Sequence, residues 1–241
     1  MRVTILIATF NEEQALPATL ASLRTMDPPP DEVLLVDGGS TDATLAIAWE
    51  ARIVTVCAPR KGRGAQINHG VNSASGEVIC VLHADSQLPA DAVAVIRATM
   101  SDSRIALASF MPRIAGPGGT RWGSSFHNWI KTWYAPLLTR PHLFVRGVRL
   151  LFGDHAMFFR RAQFLEVGGC DERVVVMEEA DLCIKLARFG RTRMVHRWVW
   201  TSDRRIVAWG RWRANWIYFK VGMMWALGAR ERLADHYPDI R

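Results

Sequence analysis

Four short apolar runs punctuate the first hundred residues, and each is followed by a polar cluster and then a stretch with helical spacing. VTILIA at 3–8 is the first, and runs at 32–36, 53–56 and 78–82 follow. A continuous Val/Ile/Leu run closed off by glycine or proline reads as a strand covered on both faces. VICVL at 78–82, bounded by Gly76 and Pro89, is wholly apolar and is expected at the centre of the sheet. Helices are expected from the residues after Glu13 to about Met26, with Pro17 in the first turn. Further helices are expected over 43–51 behind a Ser40 or Thr41 cap, from 65 to 74, and from 89 to 100. Strands and helices alternating at this interval predict βαβ units around a parallel sheet. Right-handed crossovers then bring all four strand ends to one edge.

After residue 100 the pattern loosens. Residues 105–111 read as a strand. Phe126, Trp129 and Trp133 share one helical face, which reads as core packing in preference to a ligand shelf. The apolar stretch 148–159 is broken by Gly153-Asp154-His155, either a surface turn or a second approach to the site. A helix over 160–167 is closed by Gly168-Gly169. The next helix, 177–189, opens with Glu178, Glu179 and Asp181. Acids suit a helix N-terminus, yet at about 100° per residue the three cannot all face water beside Leu182, Ile184 and Leu186. At least one is expected to point inward. In the last segment Trp209, Trp212, Trp216, Phe219 and Met223 lie on one face. The apolar stretch after Lys220 falls short of the ~18–20 residues needed to cross a bilayer. That segment is therefore either a helix docked on the domain or one lying in a membrane interface, and the chain divides at 1–204 and 205–241.

Composition sharpens some of this. At 241 residues and 49% hydrophobic, the chain supports one large α/β domain with an appendage. Cys57, Cys80, Cys170 and Cys183 show no metal-ligand spacing and read as reduced core residues of a cytosolic protein. The net charge is +7, and residues 195–241 hold nine Lys/Arg against four Asp/Glu together with six tryptophans. Arginine interleaved with tryptophan suits a docked helix or an anionic bilayer interface. Nucleic acid is the weaker partner, because the strand-end edge is largely acidic: Thr9 to Glu12, Asp37 to Asp42, and His83 to Ser86, with Arg60, Lys61 and Arg63 in the third loop. An acid at a strand tip, such as Asp85, can hold a divalent cation and through it a diphosphate, although Asp85 and Ser86 also suit the turn before a helix. No G-x-G-x-x-G follows the first strand and no P-loop is present. His83 takes the place where an aspartyl-nucleophile phosphatase would need an acid.

TFNEE at 9–13, VDGGSTD at 36–42, LHADS at 82–86 and MEEAD at 177–181 together resemble family 2 glycosyltransferases of the GT-A fold. RGAQIN at 63–68, FGDHAMFFRR at 152–161 and VGGCDE at 167–172 are similar to a bacterial subgroup of small members, some labelled as arsenosugar-biosynthesis transferases. The resemblance, which covers about 1–200, implies a Rossmann-like three-layer sandwich with a mostly parallel sheet. It also implies transfer of a sugar from a nucleotide-diphosphate donor, a UDP-sugar first, to a hydroxyl acceptor with inversion. Thr9, Asn11 and Glu12 would line the nucleotide pocket, Asp37 would accept from the base, and Ser40 and Asp42 would shape its loop. Arg63 would reach the base or diphosphate, and Asp154 would add to the donor site. Asp85, with His83 in place of the usual first acid, would hold Mn²⁺ or Mg²⁺. Glu179, with Glu178 as the alternative, would be the catalytic base. The acceptor is a small molecule or is lipid-linked. The interfacial reading of the tail, as the alternative to a docked helix, adds peripheral membrane contact through 205–227, and the location is the cytoplasm or the inner membrane face. The competing readings are a non-catalytic nucleotide-sugar or membrane-binding module and, lower, a nucleotidyltransferase.

Overall fold

The computed structural model describes residues 1–174, 176–229 and 233–237. Its strands are β1 (Val3–Thr9), β2 (Glu32–Asp37), β3 (Val54–Cys57), β4 (Val78–His83), β5 (Ser86–Gln87), β6 (Ile105–Gly116), β7 (Gly119–Thr120), β8 (Met157–Arg160) and β9 (Arg191–Ser202). They join in one sheet of order β3-β2-β1-β4-β8-β6-β9-β5, with β7 added to β6. β1 pairs in parallel with both β2 and β4, and β2 pairs in parallel with β3. β8 runs antiparallel between β4 and β6. β4 therefore lies inside the sheet, buried from Val78 to Leu82, as its unbroken apolar run requires.

The helices are α1 (Leu16–Arg24), α2 (Thr44–Glu50), α3 (Arg63–Ser73), α4 (Ala92–Met100), α5 (Trp122–Thr139), α6 (Pro141–Val145), α7 (Arg161–Glu166), α8 (Glu178–Leu186), α9 (Arg204–Trp209) and α10 (Arg211–Ala226). Because side chains alternate across a strand, the sheet feeds two cores. Ile5, Ile7, Cys80 and Leu82 pack with Leu16, Leu20, Val93 and Ile96 of α1 and α4. Leu6, Ile79 and Val81 pack on the other face with Ile67, Phe164, Leu182 and Ile217 of α3, α7, α8 and α10. The result is three layers, helices over both faces of a mostly parallel sheet.

Three expectations need correction. Cys57 is exposed because β3 is an edge strand; the other three cysteines are buried, and all four are free. Residues 191–202, unassigned from sequence, form the twelve-residue β9. It pairs in parallel with β6 through two register shifts and carries Trp198 and Trp200, which composition had grouped with the tail. Phe126 and Trp133 are exposed, not core, although they do share a helical face.

α3 lies close against the sheet at Gly70. A Cβ there would stand 2.5 Å from Leu6 Cδ1 and 2.6 Å from Val36 Cγ2, both side chains of the buried core. Alanine gains about 1 kcal/mol of helix propensity over glycine, while forcing a methyl into a close-packed site costs about 1–3 kcal/mol. Two simultaneous clashes favour the upper end of that range. We expect Gly70→Ala to lose about 1–2 kcal/mol net, read as a lower denaturant midpoint with an unchanged slope.

Candidate functional site

The strand ends meet as the crossover rule requires. Thr9 Oγ1 lies 3.4 Å from Asp37 Oδ1, Asn11 N–H donates to Ser40 Oγ at 2.9 Å, and Thr41 N–H donates to Asn11 Oδ1 at 2.9 Å. Asp37 accepts from the amides of Gly39 and Ser40, both at 2.8 Å, and from Ser40 Oγ at 2.5 Å. Asp42 accepts from Thr44 N–H at 3.0 Å and from Glu13 N–H at 3.1 Å, and the hydrogen bonds it receives hold its carboxyl below the usual range. These residues knit the first two loops together. Thr9, Asn11, Asp37, Ser40 and Asp42 stand outside the wall of the neighbouring cavity, whereas Glu12, Arg63, His83, Asp85, Asp154, Glu178 and Glu179 are all on it.

That cavity, about 530 Å³, opens at the carboxyl edge of the sheet between α5 and α10. Glu12, Asp85, Glu178 and Glu179, four of its five acids, are held by two arginines. Gly62, with φ 122°, turns the chain into α3 in a conformation that glycine adopts readily. Arg63 then sits at the first position of α3, with Nε 3.2 Å from Glu178 Oε1 and Nη2 against both Glu179 and His83. Arg204, at the start of α9, donates from both Nη atoms to the Glu12 carboxylate at 2.6 and 2.7 Å and sets Nε 3.1 Å from Asp85 Oδ2. Glu178, Glu179 and Asp181 are only 3–5% exposed, so all three turn inward where the helical-wheel argument required at least one to do so. Asp181 pairs with Lys185 at 3.6 Å. Burial raises the Glu178 carboxyl above its ordinary value despite Arg63, a shift that suits a proton acceptor near neutral pH.

A cation at His83 and Asp85 can be tested against the donors present. Among the described residues no group of three His, Cys, Asp or Glu gathers that could hold a metal ion. The imidazole and the carboxylate each face a guanidinium instead. His83 and Asp85 would supply one nitrogen and one oxygen donor, so a divalent cation there would take most of its ligands from phosphate oxygens.

The sequence profile described as glycosyl transferase family 2 matches residues 4–168, more than half of the chain. The chain belongs to glycosyl transferase family 2. The transferase is similar to a PGL/p-HBAD biosynthesis glycosyltransferase of Mycobacterium tuberculosis, 30% identical over 189 residues, covering 76% of this chain and 68% of the relative. A second M. tuberculosis glycosyltransferase is 28% identical over 174 residues, covering 71% of this chain and 73% of its own. Among solved structures, the mannosyltransferase PcManGT of Pyrobaculum calidifontis, in complex with GDP-Man and Mn²⁺, aligns over 99% of this chain and 65% of its own at TM-score 0.70 and 18% identity. Staphylococcus aureus TarS in complex with UDP-GlcNAc aligns over 84% of this chain at TM-score 0.64 and 17% identity, and the transferase spans 58% of that TarS chain. At these identities the two structures establish the shared GT-A fold.

Several cavity residues were not read from the sequence. Gln66 donates to the carbonyls of Thr9 and Val36 at 2.6 and 2.9 Å and ties α3 to the strand ends. Arg205 donates to the Tyr237 hydroxyl at 2.5 Å. Lys131 of α5 places its ammonium 3.8 Å from the Phe152 ring centre and 5.8 Å from that of Tyr218. Asp154, in the 3₁₀ turn Gly153–His155, accepts from Asn128 at 3.2 Å, so the polar break is an approach to the cavity. Fully buried His155 is pushed down to about 3, by burial first and by the Lys131 charge second.

Burial pulls Lys131 down to about 8, with Asp154 opposing. Because folding lowers this base, the unfolded chain binds the extra proton above pH 8. Its contribution to stability should therefore rise with pH from about 8 up to the free lysine value of 10.5. Amine acylation of Lys131, followed by mass spectrometry, should show a midpoint near 8. A midpoint near the free value would rule the enclosed ammonium out.

Proposed function

We propose that the transferase moves a sugar from a nucleotide-diphosphate donor to a hydroxyl acceptor with inversion at the anomeric carbon. The observation that carries this reading is the convergence of Asp85, His83, Glu178 and Glu179 on one cavity, with Arg63 and Arg204 supplying positive charge beside them. The two arginines meet the diphosphate of the donor, while Glu12 on the wall and the two loops knit together beside the cavity by Thr9, Asn11, Asp37, Ser40 and Asp42 take the nucleoside. Asp154 borders the sugar. Solved GT-A structures with UDP-GlcNAc and with GDP-Man support a nucleotide-sugar donor, and a UDP-sugar is our first choice.

The proposed reaction is a direct displacement. Glu179 takes the acceptor hydroxyl's proton as that oxygen attacks the anomeric carbon, and the bond from this carbon to the diphosphate oxygen breaks with its electron pair. Attack from the face opposite the leaving group inverts the configuration. Arg63 now occupies Glu179, so donor binding must draw this guanidinium onto the phosphates before the carboxylate can act. Glu178, whose acidity burial weakens, is the alternative base. A cation held by His83 and Asp85 would offset the charge developing on the departing nucleoside diphosphate, and an imidazole donor suits Mn²⁺ better than Mg²⁺.

A thermal-shift screen of UDP-, GDP- and dTDP-sugars with and without Mn²⁺ selects the donor. With that donor, Glu179→Gln should reduce kcat by about a hundredfold or more, within the range of a lost general base, while the donor Kd measured by calorimetry does not weaken, because the variant releases Arg63 to the phosphates. Full turnover in Glu179→Gln together with loss in Glu178→Gln would transfer the role to Glu178. Full turnover in both would end the proposed mechanism.

A further inference from the structure

α5 is built inside out. The positions it buries are Ser125, Asn128, Thr132 and Pro136, while Trp122, Phe126, Trp133, Leu137 and Leu138 are 40–75% exposed. A helix on a water-soluble domain normally shows the opposite arrangement. α10 repeats the outward half of this pattern. It docks through Ala214, Ile217, Val221 and Trp225 and leaves Trp212, Trp216, Phe219, Met223 and Leu227 45–84% exposed. Of the stripe read from the sequence, Trp212, Trp216, Phe219 and Met223 are left outside, whereas Trp209 belongs to α9 and packs against Tyr218 and Tyr237.

The two exposed faces meet at the cavity. Leu138 of α5 and Phe219 and Met223 of α10 are both exposed and part of its wall. Single exposed hydrophobic side chains need no explanation, but two exposed apolar helix faces flanking one cavity mouth do. Its charge narrows the occupant. No acid occurs between Asp102 and Asp154 or between Asp203 and Glu231, and these stretches hold seven and six Lys/Arg. Arg211, Arg213 and Lys220 are exposed on α10, and Arg146 is exposed just past α6. A second copy of the chain would set one cationic, acid-free face against another. No helix among the described residues is long and apolar enough to cross a membrane. Tryptophan and aliphatic side chains rimmed by Arg and Lys, on helices that cannot span, match the chemistry of the anionic headgroup region.

We propose that α5 and α10 together form a docking surface for an anionic lipid bilayer and that the cavity mouth rests at headgroup level. The surface goes beyond the transfer chemistry and does not depend on it.

Co-sedimentation of the full chain with phosphatidylcholine vesicles containing roughly 30 mol% phosphatidylglycerol, at about 0.1 M salt, tests this. Binding is expected to these vesicles and to be weaker by about tenfold or more on pure phosphatidylcholine. Replacing Phe126→Ser, Trp212→Ser and Trp216→Ser together should weaken binding at least about tenfold without lowering the melting temperature, because all three are more than 60% exposed. Arg213→Glu with Lys220→Glu should abolish the preference for anionic lipid. Quenching of tryptophan fluorescence by brominated lipid, measured on the unaltered chain, checks insertion without any substitution. Absence of binding to the anionic vesicles, or undiminished binding by the triple variant, would overturn the proposal. So would a dimer in sedimentation equilibrium that the triple variant returns to monomer, which would assign the face to a second copy.

Discussion

The rim of this protein is a cluster of carboxylates that hold together only because two guanidiniums are threaded between them. Glu12, Asp85, Glu178 and Glu179 come from three separate parts of the chain and line one cavity. Like charges brought this close in a partly dry site repel strongly. Arg63 answers the pair on α8, and Arg204 bridges Glu12 and Asp85. Each arginine stands at the first residue of its helix, which sets its base firmly while its long side chain spans the gap. The planar fork of Arg204 meets Glu12 with two hydrogen bonds, a geometry that lysine cannot reproduce. The same forks are suited to phosphate oxygens. A site arranged this way holds positive charge against its own acids, and in the proposed reaction the donor diphosphate draws it off.

Much of the frame that supports the rim is legible in sequence. β1 to β4 and the helices between them follow from unbroken apolar runs and from the spacing between those runs, and the right-handed crossover rule brings their ends together. That at least one of Glu178, Glu179 and Asp181 turns inward follows from angular bookkeeping on α8 alone; that all three do is set by packing. These inferences succeed because a buried parallel strand has little freedom in composition. β9 does not announce itself, because His196, Arg197, Trp198 and Trp200 all face the surface to some degree and only Val195, Val199 and Thr201 are buried. Neither an alternating nor a continuous apolar pattern results. Cys57 misleads for a related reason: an edge strand can carry an apolar run without covering both faces of it.

Arg204 and Arg205 were hidden by their neighbourhood. Read among the basic residues of the C-terminal segment, they count toward net charge; the ion pair of Arg204 with Glu12 spans 192 positions and the bond from Arg205 to Tyr237 depends equally on the fold. Lys131 is similar, a lone cation among aromatics until Phe152, Tyr218 and Asp154 enclose it. Chemistry-bearing residues at strand tips are predictable because the sheet dictates where tips go. Residues on covering helices are less so, because the rotation of each helix about its axis is set by packing.

That same rotational freedom separates the two helices beside the cavity mouth from the others. Periodicity identifies which residues of α5 and α10 share a face, but it assumes that the apolar face goes inward. α5 reverses the assumption, since Asn128 is turned inward to reach Asp154 and the aromatic stripe is carried outward by the same rotation. The polar contact to the cavity and the exposed apolar face are therefore two consequences of a single orientation. The helix cannot bury Phe126 and Trp133 without withdrawing Asn128 and Lys131 from the site.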